Sequence, residues 1–183
     1  LVGEQDARVD HADANAGTEV VVVSMAPETA QTSVRKGLAM GAASALQVID
    51  PALTGADLGL TAEVLAAAIK HAQFDLVIAG NQSTDGGGGV LPAMLAEILD
   101  VPHATALSEV TITAEGVTGV RVGDGATVRV STGLPAVISI AEALPDARFP
   151  NFKGIMAAKK KPFETVSLVD LGVDAEASDA ARS

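Results

Sequence analysis

The sequence predicts an α/β protein built on a mostly parallel, doubly wound, Rossmann-like sheet with one antiparallel hairpin excursion. Three observations carry this. Aliphatic runs at Val20–Val23, Leu76–Ala79 and Ala136–Ala141, the last interrupted only by Ser139, read as strands buried on both faces. Between the earlier runs lie stretches with apolar residues at three- and four-residue spacing, so strand and helix alternate as in βαβ units with right-handed crossovers. The stretch 110–130 then switches to apolar–polar alternation, the period of antiparallel strands with one wet face. Composition agrees: 48% of residues are hydrophobic, yet there are four Phe, no Trp and no Tyr. An aliphatic core of this kind suits parallel strands covered by Ala-rich helices.

In chain order, a polar lead-in over 1–18 precedes the first strand. Pro27 stands where a helix's first turn begins, Ala30, Val34 and Leu38 follow at intervals of four, and Gly41 closes the pattern as a cap. Ala45–Ile49 reads as the second strand. Thr61, with Glu63 behind it, reads as the N-cap of a helix carrying Val64, Leu65, Ala68 and Ile69 on one side. The third strand ends at Gly80. After a glycine-rich turn, Leu91, Met94, Leu95, Ile98 and Leu99 mark a helix stopped by Asp100 and Pro102. Glu115-Gly116 and Gly123-Asp124-Gly125 then divide three short strands. Leu144–Lys161 is a loop ending in a short helix and a lysine run, Phe163–Leu168 a last strand, and 169–183 a polar tail. Residues 19–168 are expected to form a single α/β domain.

A formal net charge of -11 argues against nucleic acid or an anionic membrane surface as a partner. No cysteine is present, which excludes disulfides, thiolate metal sites and a cysteine nucleophile. No apolar run reaches the length of about 18 residues that a membrane span needs, and no targeting segment is visible, so no membrane insertion and a cytoplasmic location are expected. His11, His71 and His103 lack metal-ligand spacing, and Ser131 and Ser139 lack a nucleophile-elbow context. No catalytic or metal-binding constellation emerges, which points to binding or carrying.

Two segments hold the candidate chemistry. The turn Gly80-Asn81-Gln82-Ser83-Thr84-Asp85-Gly86-Gly87-Gly88-Gly89 leaves a strand's carboxyl end and opens a helix, where main-chain N–H groups and the helix dipole favour an anion. It has neither the lysine of a Walker loop nor the third glycine of the dinucleotide fingerprint, since Leu91 stands in that place. By pattern alone it is equally a phosphate cradle and a flexible turn; Asp85 is either the helix cap or a ribose ligand, capping being the simpler role. Ser24 ends the first strand and is by itself a helix-entry residue, though two such strand ends facing one crevice make a nucleotide site. The second segment, Arg148-Phe149-Pro150-Asn151-Phe152-Lys153-Gly154-Ile155-Met156, concentrates aromatic and cationic residues in an acidic chain. Composition leaves two options: a docking anchor flanked by cations, or Phe side chains folded onto the core above a solvated lysine face.

Three separated segments together resemble one family, the electron-transfer flavoprotein β subunits. Val22-Val23-Ser24-Met25-Ala26-Pro27 running into Arg35-Lys36-Gly37-Leu38-Ala39-Met40-Gly41-Ala42 is similar to the family's strand, turn and "R-x-A-L-A-M-G-A" helix. Asp75-Leu76-Val77-Ile78-Ala79-Gly80 through Gly89 is similar to its nucleotide loop. Leu134-Pro135-Ala136-Val137, Arg148-Phe149-Pro150 and Ile155-Met156-Ala157-Ala158-Lys159-Lys160-Lys161 follow its "LPA-[VI]…EPR-[YF]…IM-x-AKKK" pattern.

The resemblance implies a β subunit paired with an α subunit that holds most of a redox-active FAD, the pair carrying electrons from dehydrogenases such as acyl-CoA dehydrogenase to a respiratory or other acceptor. It implies AMP, or a second FAD, in the β subunit itself. It maps nucleotide contacts onto Ser24, Gly80, Gln82, Ser83, Thr84, Asp85, Gly86, Gly87, Gly88, Gly89, Val90 and Leu91. It maps partner docking onto Arg148, Phe149, Phe152, Ile155 and Met156, with Phe152 as the anchor that enters a dehydrogenase. Family members begin with a further strand, a "K-x-V-P-D"-like loop and a helix; none precedes Val20, and truncation is the expectation because an unpaired central strand is costly. Val128 stands where members carry Glu or Gln, and Gly86–Gly89 replace more polar residues, so main-chain contacts to the nucleotide are expected there. The rival readings are a stand-alone nucleotide-binding module without flavin and, third, a small adenine-nucleotide hydrolase or ligase.

Overall fold

A computed structural model describes residues 18–83, 87–123, 125–141, 150 and 152–176. They form two compact units, one drawn from the residues up to Ala72 and from 150 onward, the other from Gln73 to Ala141.

In the first unit, strands β1 (Val21–Met25), β2 (Ser44–Val48) and β8 (Phe163–Val166) make a parallel sheet in the order β1-β2-β8. A single 3-10 turn, Glu28–Ala30, precedes α1 (Gln31–Met40), and Gly41 caps it at φ 132, a conformation that favours glycine. Helix α2 (Leu58–Ala72) packs Leu60, Val64 and Ala68 against Leu46 and Val48 on one face of the sheet, while Val34, Leu38 and Ala158 cover Ala45 on the other. β2, lying between two strands, is buried over Ala45–Val48. β1, expected to be buried on both faces, is half-buried over Val21–Val23 because it is the edge strand of its sheet.

Two predicted details are corrected here. α2 starts three residues before Thr61, and Asp57 caps it: Leu60 N–H donates to Asp57 Oδ1 at 2.7 Å. Thr61 is buried inside the first turn, its hydroxyl donating to the Asp57 carbonyl at 2.7 Å. Beyond β8, where a polar tail is expected, α5 (Leu168–Leu171) forms under a reciprocal capping box between Ser167 and Asp170. Those hydrogen bonds from Ser167 hold the Asp170 carboxyl below its usual 3.8.

The second unit contains β3 (Leu76–Gly80), α3 (Leu91–Leu99), β4 (His103–Ile112), β5 (Gly116–Gly123), β6 (Ala126–Gly133) and β7 (Ala136–Ile140), with the sheet order β3-β7-β4-β5-β6. β3 and β4 flank β7 in parallel, and β4, β5 and β6 form the antiparallel excursion. The three excursion strands are longer than predicted, since β4 starts at His103 and also pairs with β7. Central β7 is fully buried over Ala136–Ser139; β3, at the edge, is half-buried over Leu76–Ala79, again short of the burial on both faces that its aliphatic run predicts. The chain is thus α/β, with mostly parallel pairing in its βαβ part and an antiparallel addition.

Candidate functional site

The glycine turn leaves β3 at Gly80 and delivers the chain to α3. Its described part is shaped by local bonds: Gly87 N–H donates to the Ser83 carbonyl at 3.1 Å, and Gln82 Nε2 donates to the Gly87 carbonyl. Gly87 and Gly89 adopt φ 58 and 63, conformations in which a side chain is strained. No heavy atom lies within 4 Å of a Cβ placed on Gly80, so the strand end opens onto free space. Gln82 and Gly87–Val90 are exposed, Ser83 and Leu91 half-buried. Thr84, Asp85 and Gly86 lie outside the described residues.

The N-cap of α3 is Val90, which makes no side-chain cap bond. The helix begins at Leu91, and Asp85, for which a capping role was considered, lies outside the described residues. The first-turn N–H groups of any helix lack intrahelical acceptors, and Pro92 removes one of them. Open glycine main chain, a helix start that its N-cap residue Val90 leaves without a side-chain bond and the partial positive charge of the dipole make a donor set suited to phosphate oxygens.

A side-chain relay stands behind this turn, and sequence reasoning missed it. Ser139, fully buried in β7, accepts a hydrogen bond from Ala106 N–H at 2.8 Å and donates to Asn81 Oδ1 at 3.1 Å. Ala106 sits at φ 57 in an irregularity of β4, where one residue of β7, Ser139, faces two of β4, Thr105 and Ala106, between the pairs Ala104–Ile138 and Leu107–Ile140.

Ser24 belongs to the other unit. It is buried at 1% exposure near the end of β1, in register with Gln47 of β2. Gln47 Nε2 donates to the Ala26 and Pro27 carbonyls, both at 3.0 Å, and so fixes the chain as it leaves β1.

The aromatic segment is resolved into an outward and an inward part. α4 (Phe152–Ala158) presents Phe152, Ile155 and Met156 at i, i+3 and i+4, the spacing of one helix face. Their exposures are 79%, 45% and 47%. The option that Phe152 folds onto the core is thus excluded, while Phe163 is half-buried under the Arg35 guanidinium, 4.6 Å above its ring. Nor is the lysine run uniformly solvated: Lys161 Nζ donates to the Leu38 and Ala42 carbonyls at 2.9 and 2.6 Å. Arg148 and Phe149 lie outside the described residues.

Among the described residues, no group of three or more His, Cys, Asp or Glu side chains is placed to hold a metal ion. None of the described helices is long and apolar enough to cross a membrane. His71 meets Glu164 at 3.3 Å on the surface, and His103 is exposed.

An α/β scaffold with a glycine turn at a parallel strand's carboxyl end places the chain among Rossmann-like α/β proteins. More narrowly, residues 9–171 match the electron transfer flavoprotein domain, and the chain belongs to that family. It is 43% identical over 158 residues to the electron transfer flavoprotein subunit beta of Mycobacterium tuberculosis (strain ATCC 25618 / H37Rv), an alignment covering 86% of this chain and 59% of that protein. The subunit beta of Bacillus subtilis (strain 168) is 34% identical over 161 residues, 87% of this chain and 63% of the relative. The caffeyl-CoA reductase-Etf complex subunit CarD of Acetobacterium woodii is 35% identical over 167 residues, 90% of this chain and 63% of the relative. The chain therefore spans about three-fifths of the length of these curated relatives.

Proposed function

We propose that this chain works as the β subunit of a heterodimeric electron carrier, transferring electrons between proteins rather than converting a substrate. The name subunit beta carried by its relatives supports an α partner, which on this reading holds most of an FAD. The flavin, when bound, supplies the one- and two-electron chemistry; this chain's residues bind, orient and dock.

The single observation that carries the reading is the apolar triad on α4. An aromatic side chain left 79% exposed beside Ile155 and Met156 has no role in its own core, and a partner's pocket gives it one. Arg148 and Phe149 belong to the same docking segment by sequence. Dehydrogenases such as acyl-CoA dehydrogenase are the proposed partners, and a respiratory or other redox protein the acceptor.

In the second unit, the turn from Gly80 to Leu91 would hold the phosphates of AMP or of a second FAD, with Gln82, Ser83, Thr84 and Asp85 adding polar contacts. A cytoplasmic location is proposed with this reading.

The test is to co-express the complete subunit with its α partner, denature the purified complex and identify the released nucleotides. One FAD and one AMP per heterodimer supports a simple carrier. Two FADs assign the β site to flavin and make the complex a bifurcating type. A complex without flavin overturns the carrier reading in favour of a stand-alone nucleotide-binding module.

A further inference from the structure

We infer that Ser139 is a positioning residue for the nucleotide turn, acting through the carboxamide of Asn81. The inference rests on the proposal that this turn binds a nucleotide.

The Ser139 hydroxyl sits where β3, β7 and β4 meet, with no exposure to solvent. One of its lone pairs is taken by the Ala106 N–H at 2.8 Å, so its single proton needs an acceptor in a place water does not reach. Asn81 Oδ1, at 3.1 Å, is that acceptor. Turning the carboxamide over would aim an N–H donor at the hydroxyl and leave the hydroxyl proton without this acceptor, which is unfavourable for a buried group. The carboxamide is thereby locked: its oxygen faces the sheet, and the polar atom left to the turn is Nδ2, which only donates.

Asn81 is the first residue of the turn after β3, and its own carbonyl lies 3.6 Å from the Cβ position of Gly89 near the turn's far end. A donor fixed there complements main-chain N–H groups, and phosphate oxygen is the ligand chemistry such a set takes. The irregularity in β4 belongs to the same device. It puts Ala106 at φ 57 and its N–H on a side-chain hydroxyl instead of a strand carbonyl. A left-handed conformation is unfavourable for an alanine, and here it fixes the Ser139 hydroxyl.

The experiment is calorimetric titration of AMP, with adenosine in parallel, into the heterodimer after removal of its nucleotide. Ser139→Ala is expected to weaken AMP roughly five- to tenfold, the loss of about one well-placed hydrogen bond, and adenosine by less. Ser139→Thr keeps the hydroxyl and is expected to restore binding. In an Asn81→Ala background, Ser139→Ala is expected to cost nothing further. Additive losses, or AMP affinity within about twofold of wild type in Ser139→Ala, overturn the relay. Should Ser139→Ala fail to fold, Asn81→Leu, which leaves Ser139 and Ala106 in place, is expected to show the same selective loss of AMP; unchanged affinity there also overturns it. If the unmodified heterodimer binds neither AMP nor FAD at the β site, the nucleotide reading itself falls, and the relay with it.

Discussion

Phe152→Ala separates a docking residue from a folding residue, because the structure predicts opposite effects on two measurements. A fully buried Phe side chain contributes about 1.5–3 kcal/mol through the area it removes from water. With Phe152 79% exposed, about a fifth of that is realised within the chain, so truncation should lower folding stability by no more than about 0.5 kcal/mol. Docking into a partner's pocket would bury the remaining surface, worth about 1.2–2.4 kcal/mol, which converts to a roughly seven- to fiftyfold slower second-order reaction at about 1.4 kcal/mol per decade. The assay is reduction of the purified heterodimer by an acyl-CoA dehydrogenase, followed by flavin absorbance, with urea unfolding run on the same preparations. The expected result is slowed reduction with an unchanged flavin spectrum and unchanged stability. A rate within about twofold of wild type refutes the docking role. A loss of stability matching the loss of rate refutes the exposure argument instead.

Lys161→Met keeps the apolar stem but removes two hydrogen bonds to carbonyls at the end of α1, and is expected to cost about 1.5–3 kcal/mol in urea unfolding; Lys160→Met, at an exposed position, should stay within about 0.5 kcal/mol of wild type. Gly119→Ala places a Cβ 2.8 Å from the Glu109 carbonyl oxygen and from Leu107 Cδ1, and should destabilise by about 1–3 kcal/mol, again read by denaturant unfolding. Asp170 titrates below its usual 3.8 in the folded protein, so its cap on α5 contributes stability above that value and loses it as pH falls through the folded pKa. The difference in Tm between wild type and Asp170→Asn should therefore be largest near neutrality and shrink toward pH 2; a difference independent of pH refutes the assignment.

How far the sequence could be read follows from the range of each interaction. The helical periods through Val34 and Leu38 and through Leu91, Leu95 and Leu99 express local geometry, and α1 and α3 lie where they predict. Gly41 and Gly125 were legible because a positive φ selects glycine, and Gly116 because a Cβ there would collide with the Thr132 carbonyl. The start of α2 was misread because Asp57 and Thr61 are both good caps; only the bond from Leu60 N–H distinguishes them. α5 was missed since four residues give no period, although the Ser167 to Asp170 spacing of its capping box was present. The relay through Ser139 joins residues 58 positions apart, and the Lys161 contacts join residues 123 and 119 apart. Such pairings depend on strand order, which no local pattern encodes.

The same motif, from Phe152 to Lys161, serves two opposed requirements, and its residues divide accordingly. A helix of seven residues is far too short to hold itself together in water. A face carrying Phe152, Ile155 and Met156 to solvent gives it no burial to offset the lost chain entropy. Its stability must come from its other side and its end. Ala158 is buried against Val34, Leu38, Ala42 and Ala45; Arg35 reaches the Ala158 carbonyl at 3.4 Å while lying over Phe163; and Lys161 closes on the last turn of α1. The cations beside the aromatic residue thus split by position: Lys159 and Lys160 are exposed, whereas Lys161 is turned inward as part of the clasp. An apolar face so exposed, on a helix so dependent on outside support, costs folding free energy that a purely structural segment would have no reason to bear. That cost is the physical argument for the proposed occupant, and the docking surface proposed here would lie on α4 rather than on the lysine run that follows it.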